Sequence, residues 1–98
     1  MFEISQGEAG VVVFAGRLDA AQCAKAQAFL DAIEAPKEFD FAKLEYISSA
    51  GLGVLLKTQK RVMGSSGRLK LTHVNNHIND IFRYSGFDQI FEIQRAEG

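Results

Sequence analysis

The order in which two apolar periods alternate along this chain constrains its fold more than any other feature. Segments with every second residue apolar, or with a short β-branched run, alternate with segments whose apolar residues recur every three to four positions. The first pattern is typical of strands and the second of helices. The alternation predicts one α/β domain over residues 1–98, with an open, mixed, mostly parallel sheet of four to five strands and helices packed against it.

The first two predicted strands lie close together. Phe2 and Ile4 alternate with polar neighbours, and Val11–Ala15 is a continuous apolar run. The turn region Gly7–Gly10 is too short for a crossover, so these strands should pair as an antiparallel hairpin. Further strands are predicted near Glu38–Ala42, Arg68–Val74 and Ile90–Ile93.

The first helix should begin after Asp19, a suitable N-cap residue, and run to about Ala35. Pro36 prevents its continuation. Its predicted inner face consists of Cys23, Ala26, Phe29, Leu30 and Ile33.

Two more helices are predicted in the second half of the chain. One begins near Ala50 and is broken by Gly64–Gly67. The other is capped by Asn75 or Asn76 and ends at Gly86, with Ile78, Ile81 and Phe82 inside. The inner stripe of the earlier helix is Leu52, Leu55, Leu56, Gln59, Val62 and Met63, and its outer residues are Gly53, Lys57, Lys60 and Arg61.

Charge and composition limit the partners of the chain. The net charge of −1 provides no field that would attract nucleic acid or an anionic membrane. No window approaches the roughly 20 apolar residues of a membrane helix, and Met1–Ser5 does not resemble a secretory signal. A single cysteine, Cys23, fits a reducing compartment. We therefore expect a cytoplasmic protein without nucleic-acid partners or membrane insertion.

The segment Ser48–Gly53 carries the strongest chemical signal. It joins a buried strand to a helix N-terminus, where free amides and the helix dipole would favour a phosphate on Ser49. Gly51 and Gly53 should let another molecule approach closely. A plainer interpretation is that Ser49 only caps the helix and that the glycines relieve crowding. The patterns of a phosphate-binding loop and of a nucleophile elbow are both incomplete.

Other chemically suggestive residues favour structural roles. His73 and His77 lack the cysteines or carboxylates that would complete a metal site, so we expect no metal. Cys23 should pack as a small apolar residue. The basic group Lys57, Lys60 and Arg61 is either solvated helix surface or an aid to binding a phosphate or an acidic partner.

Three motifs in this order resemble the STAS domain, which anti-sigma factor antagonists share with the tails of sulfate transporters. The motifs are Gly16–Asp19, Tyr46–Leu56 and Phe82–Phe87, and the resemblance covers nearly the whole chain. The middle motif is specific at its full length. Ser48 stands where the family often has Asp.

The resemblance implies partner switching by a protein that is not an enzyme and needs no cofactor. Ser49 would be phosphorylated by an anti-sigma factor that is also a serine kinase of the histidine-kinase-like ATPase type. Phosphorylation would end binding to that kinase, and a metal-dependent serine phosphatase would restore it. The implied partner-binding residues are Asp19, Ser48, Ser49, Ala50, Gly51, Gly53 and Lys57.

Two other functions remain open at this point. One is a STAS subunit that regulates an ABC-type transporter and is never phosphorylated. The other is a sensor that binds a small ligand or nucleotide at Ser49–Gly53. The residues do not indicate the pathway, the final target or the oligomeric state.

Overall fold

The fold is organised around a sheet whose strands follow one another in chain order. In this computed structural model, which describes residues 1–34, 36–63 and 69–96, the described strands form a five-stranded sheet of order β1-β2-β3-β4-β5. β1 is antiparallel to β2, and all other neighbours are parallel, which confirms the predicted hairpin and mixed sheet. The elements are β1 (Phe2–Gln6), β2 (Val11–Leu18), α1 (Cys23–Asp31), β3 (Glu38–Ile47), α2 (Ser49–Met63), β4 (Lys70–Val74), α3 (Asn76–Tyr84) and β5 (Glu92–Arg95).

The core lies on one face of this sheet. Phe14, Phe39 and Phe41 are fully buried there, and the Phe14 ring lies about 5 Å from each of the other two. Phe82 of α3 packs against Phe41 on the same side. Alternate residues such as Glu3, Ser5 and Val13 are exposed or half-buried on the opposite face. Strand alternation therefore separates a helix-covered face from an open one.

β3 extends five residues beyond its predicted end at Ala42. Its pairing with β2 shifts register between Val13 and Ala15 and again between Gly16 and Arg17. Each shift places an extra residue in β3, so strict alternation is lost while Leu44 and Ile47 still reach the core. These bulges explain why periodicity alone ended the strand too early.

The second half of β3 is paired on one side only among the described residues. Its register with β4 covers Glu38–Asp40 and Lys70–Thr72 and then stops. Beyond that point side chains satisfy the backbone: the Ala42 amide donates to Asp40 Oδ1 at 2.9 Å, and Asn75 Nδ2 donates to the Leu44 carbonyl at 3.2 Å. The side chains of Asp40 and Asn75 lie where the backbone pairing of β3 and β4 has stopped, beyond Asp40 and Thr72, and this gap is called the seam below.

The first helix differs from its prediction at both ends. Asp19 precedes a single 3₁₀ turn, Ala20–Gln22, and its side chain forms no capping hydrogen bond. The proposed capping role of Asp19 is therefore wrong. α1 ends at Asp31, because the Ile33 amide bonds to the Leu30 carbonyl and the Ile33 side chain turns into the core. The predicted end at residue 35 lies outside the described residues.

α2 buries most of its predicted stripe. Leu55, Gln59 and Val62 are buried, while Leu52 and Leu56 are half-buried. Gln59 is satisfied inside the core: Oε1 accepts from the Leu69 amide at 2.9 Å, and Nε2 donates to the Ile90 carbonyl at 3.4 Å. The stripe is wider than predicted, since it also includes Val54 and Thr58.

The C-terminal elements largely follow the sequence. Asn75 caps α3 by accepting from the Ile78 amide at 2.9 Å, and Gly86 follows the helix with φ +75°. Both predictions are confirmed. β5 begins at Glu92, two residues later than predicted, because the chain first makes a 3₁₀ turn at Phe87–Gln89. The predictions for 64–68 lie outside the described residues.

Candidate functional site

Ser48, and not Ser49, caps α2. The Ser48 amide donates to the Leu18 carbonyl at 3.0 Å and so extends the pairing of β3 with β2 by one bond. The Ser48 hydroxyl oxygen accepts from the Gly51 amide at 3.1 Å, and the Ser48 carbonyl accepts from the Leu52 amide at 2.9 Å. This is N-cap geometry, with Ser49 as the first residue inside the helix.

Ser49 is exposed at the mouth of this helix. Its side chain forms no hydrogen bond with any described residue. Ala50 beside it is also exposed. The plainer interpretation is therefore wrong in making Ser49 the cap, although Gly51 does relieve crowding against Ile47 and Leu18. The Ser49 hydroxyl lies beside the positive end of α2 without a partner among the described residues.

Two glycines of the motif have opposite environments. A Cβ on Gly51 would lie 2.8 Å from Ile47 Cγ1 and 3.0 Å from Leu18 Cγ, whereas a Cβ on Gly53 would meet nothing within 4 Å. The prediction that Gly51 gives access to another molecule is wrong, because its missing side chain faces the core. Gly53 is exposed and leaves open space on the helix surface.

Asp19 lies beside this helix start. Leu18 and Ile47 are register partners at the ends of β2 and β3, so Asp19 and Ser48 follow them at the same edge of the sheet. Asp19 Oδ1 is buried and has no hydrogen-bond partner among the residues that the structure describes. A buried carboxylate oxygen without a donor is costly, and no pattern in the sequence indicates it.

The three basic residues of α2 are not equivalent. Lys57 and Lys60 are exposed. Arg61 is also exposed, but its guanidinium donates to the carbonyls of Leu30, at 2.9 Å, and Glu34, at 3.3 Å. Arg61 therefore ties α2 to the C-terminal end of α1, and only the two lysines remain as candidates for a partner.

The other chemically suggestive residues form no bond to Ser49 among the described residues. His73 Nδ1 lies 3.0 Å from Asp40 Oδ1, and His77 is exposed on α3. Among the described residues, no three histidine, cysteine or carboxylate side chains gather as metal ligands. Cys23 is half-buried, and its thiol donates to the Asp19 carbonyl at 3.3 Å.

None of the helices in the described part of the chain has both the length and the apolarity needed to cross a bilayer.

Comparison with known proteins agrees with this geometry. A family model described as "Mlab, STAS domain" matches residues 1–94. The chain belongs to the STAS domain family. The STAS chain is also 39% identical over 57 residues to BtrV of Bordetella bronchiseptica, which is named as an anti-sigma factor antagonist. That match covers 58% of this STAS chain and 49% of BtrV, so the chain spans about half the length of this curated relative.

Solved structures of low sequence identity share the STAS fold. An anti-sigma factor antagonist from Thermotoga maritima has a TM-score of 0.78 at 19% identity, covering 95% of this chain and 85% of its own. The Bacillus cell fate determinant SpoIIAA in its phosphorylated form has a TM-score of 0.67 at 20% identity, with coverages of 95% and 90%. The predicted fold and family are thus confirmed.

Proposed function

We propose that this STAS domain is an anti-sigma factor antagonist that works by partner switching. The unmodified domain binds an anti-sigma factor that is also a serine kinase, and so displaces a sigma factor or another regulator. Phosphorylation of Ser49 ends that binding, and a metal-dependent serine phosphatase restores it. The cytoplasm is the compartment that this proposal requires.

The exposed, unbonded hydroxyl of Ser49 is the observation that carries the proposal. Ser48 caps the helix, and Gly51 packs against the core on the inner side of the turn. Ser49 therefore has no structural role among the described residues. A kinase can therefore reach the Ser49 hydroxyl without unfolding the helix. Its oxygen would form a bond to the γ-phosphorus of ATP as the bond to ADP breaks, and its proton would pass to a base of the kinase.

The surroundings of Ser49 also fit the product. A phosphate on the first residue of α2 would lie near the free amides and the positive end of the helix dipole. It would add a charge of about −1.5 to −2 at neutral pH. The domain can thus carry the phosphate in an unchanged fold while the docking surface loses its complementarity.

Two features near Ser49 suit a protein partner. Asp19 is half-buried and follows Leu18 at the same edge of the sheet as the start of α2, so a partner that reaches Ser49 would also lie beside Asp19. Lys57 and Gly53 lie on the exposed side of α2, where the absent side chain of Gly53 permits close approach. The proposed docking surface consists of Asp19, Ser49, Ala50, Gly53 and Lys57, with Ser48 and Gly51 supporting it from inside.

The relatives support the same role. BtrV is named as an antagonist of an anti-sigma factor, and SpoIIAA has been solved in a phosphorylated form. The antagonist role named for BtrV and the phosphorylated state of SpoIIAA are both parts of the proposed cycle.

Incubation with ATP and a purified anti-sigma kinase of the same organism tests the proposal. Mass mapping should find one phosphate, on Ser49. Ser49→Ala should still bind the kinase but accept no phosphate. Ser49→Asp should weaken binding by about a hundredfold, which corresponds to about 3 kcal/mol.

Matched control variants distinguish a specific role of the proposed docking surface from a general effect of losing a serine or reversing a charge. Ser5→Ala removes another exposed serine on the open sheet face and should be phosphorylated normally. Lys57→Glu should weaken kinase binding, whereas Lys37→Glu makes the same charge change before β3 and should not. Equal phosphorylation of the wild type and Ser49→Ala would contradict the proposal.

A transporter subunit is the second candidate function. It would use the same exposed start of α2 to bind an ATPase, without phosphorylation. If a kinase required the acidic side chain that the resemblance places before Ser49, the neutral Ser48 would favour this candidate. Binding to a transport ATPase that Ser49→Ala leaves unchanged, together with absent phosphate transfer, would support it. The small-ligand alternative loses support, since Gly51 is covered by the chain itself.

A further inference from the structure

The two adjacent serines at the start of α2 have different environments. The Ser48 side chain is half-buried and its oxygen is engaged by the Gly51 amide, whereas the Ser49 side chain is exposed and unbonded among the described residues. We infer that Ser48 is a positioning residue that selects Ser49 as the phosphate acceptor. This inference rests on the proposed function, because it concerns the choice of hydroxyl in that reaction.

Ser48 is held by its backbone as well as its side chain. Its amide bonds to Leu18 of β2, and its carbonyl accepts from Leu52 one turn into the helix. To present its hydroxyl to a kinase, Ser48 would have to release the Gly51 amide and leave it without an intrahelical partner. Ser48 is therefore a poor acceptor even though it adjoins the modified residue.

The same bonds fix the position of Ser49. On its inner side the capped turn packs against Ile47 and Leu18, so closely that a side chain on Gly51 would not fit. With its cap on one side and this contact on the other, the turn holds the backbone of Ser49 in one place. A fixed acceptor lowers the entropic cost of aligning the hydroxyl with the phosphoryl donor.

The capping role also explains which residues suit position 48. Serine, aspartate and asparagine are all good N-caps, because each offers an oxygen to the amide three residues on. The Asp that the resemblance leads one to expect can thus be replaced by Ser48 without losing the cap. On this account the oxygen acceptor at position 48 matters, and its charge does not.

Hydrogen exchange at the Gly51 amide tests the cap without a kinase. Ser48→Ala should speed exchange at that amide about fivefold, as expected for the loss of a typical cap. Ser48→Asn keeps an acceptor oxygen without a hydroxyl or a charge, so it should remain within about twofold of the wild type. Unchanged exchange in Ser48→Ala would overturn the inference.

Steady-state phosphorylation tests the positioning. Ser48→Ala should lower kcat about fivefold and leave KM within about twofold, because the exposed surface of α2 is intact while its first turn frays. Ser48→Asn should have the kcat of the wild type. The Ser49→Ala variant should carry no phosphate on Ser48. Failure of Asn to restore kcat, or transfer to Ser48 in Ser49→Ala, would overturn the inference.

The outcomes separate this inference from the function on which it rests. If wild-type protein accepts no phosphate from the kinase, both the partner-switching proposal and the selection of Ser49 fail. If the wild type is phosphorylated on Ser49 and Ser48→Ala is phosphorylated equally fast, only the inference about Ser48 fails.

Discussion

The starts of α2 and α3 share one capping bond but differ in what surrounds it. In each, a side-chain oxygen of the residue before the helix, Ser48 or Asn75, accepts from the amide three residues on. In α3 the next residue, Asn76, accepts a hydrogen bond from the Arg95 guanidinium. In α2 the next residue, Ser49, has no partner among the described residues. The comparison shows that a helix start becomes a candidate site when its first residue is left unengaged.

The two starts also differ in how the cap is used. The Asn75 side chain both caps α3 and donates to the Leu44 carbonyl across the seam between β3 and β4. The Ser48 side chain forms one such bond, to Gly51. The start of α3 is thus tied into the sheet by side chains, whereas the start of α2 is held by backbone bonds and by the contact of Gly51 with Leu18 and Ile47.

The largest effect should come from filling the space at Gly51. Gly51→Ala would place a Cβ against Ile47 and Leu18, and the buried turn has little room to shift. We expect a loss of about 2–3 kcal/mol in the free energy of unfolding, measured by urea denaturation. Gly53→Ala is the matched control and should stabilise the helix by about 0.5–1 kcal/mol, because its Cβ meets open space. Equal effects would show that the first turn is not packed against the core.

Removing the cap of α3 should have the next largest effect. Asn75→Ala loses both the Ile78 cap and the bond to Leu44, so we expect a loss of about 2 kcal/mol. Ser48→Ala loses the cap alone and should cost about 1 kcal/mol. Thermal and urea unfolding of both variants would measure the difference. A larger loss for Ser48→Ala would reverse the comparison.

The smallest effect concerns charge at the first helical residue. Ser49→Asp places a carboxylate at the positive end of α2 and should raise the free energy of unfolding by about 0.3–1 kcal/mol at low ionic strength. The gain should fade at 1 M salt, where screening acts within about 3 Å. Ser49→Ala, which adds no charge, should change stability by less than about 0.5 kcal/mol. A clear loss of stability in either variant would mean that the Ser49 hydroxyl has a structural partner.

The sequence predicted the order of elements because each has a clear apolar period. It failed where the period is interrupted. β3 was predicted too short, since each bulge moves the following residues by one position and breaks the alternation. α1 was predicted too long, because the chain turns at Ile33 well before Pro36.

The candidate site was predicted as a segment, with Ser49 and Gly53 accessible, but the roles of Ser48 and Gly51 in it were not predicted. A shift of one position decides whether Ser48 or Ser49 caps the helix, and helix boundaries are uncertain by that much in a sequence. Gly51 and Gly53 look alike in the sequence, but only packing shows that one faces Leu18 and the other faces solvent. The unsatisfied oxygen of Asp19 depends on the three-dimensional path of the loop, which no local pattern encodes.

The start and the middle of α2 are anchored to different parts of the molecule. The first turn of α2 is anchored to Leu18 and Ile47, in β2 and β3, while β4 joins the described sheet only near Glu38–Asp40, at the far end of β3. Gln59, farther along α2, bonds to the Leu69 amide and the Ile90 carbonyl, so the body of the helix is held by the C-terminal third of the chain. A substitution in β4 or β5 would therefore reach Ser49 through the body of α2 and not through the cap at its start.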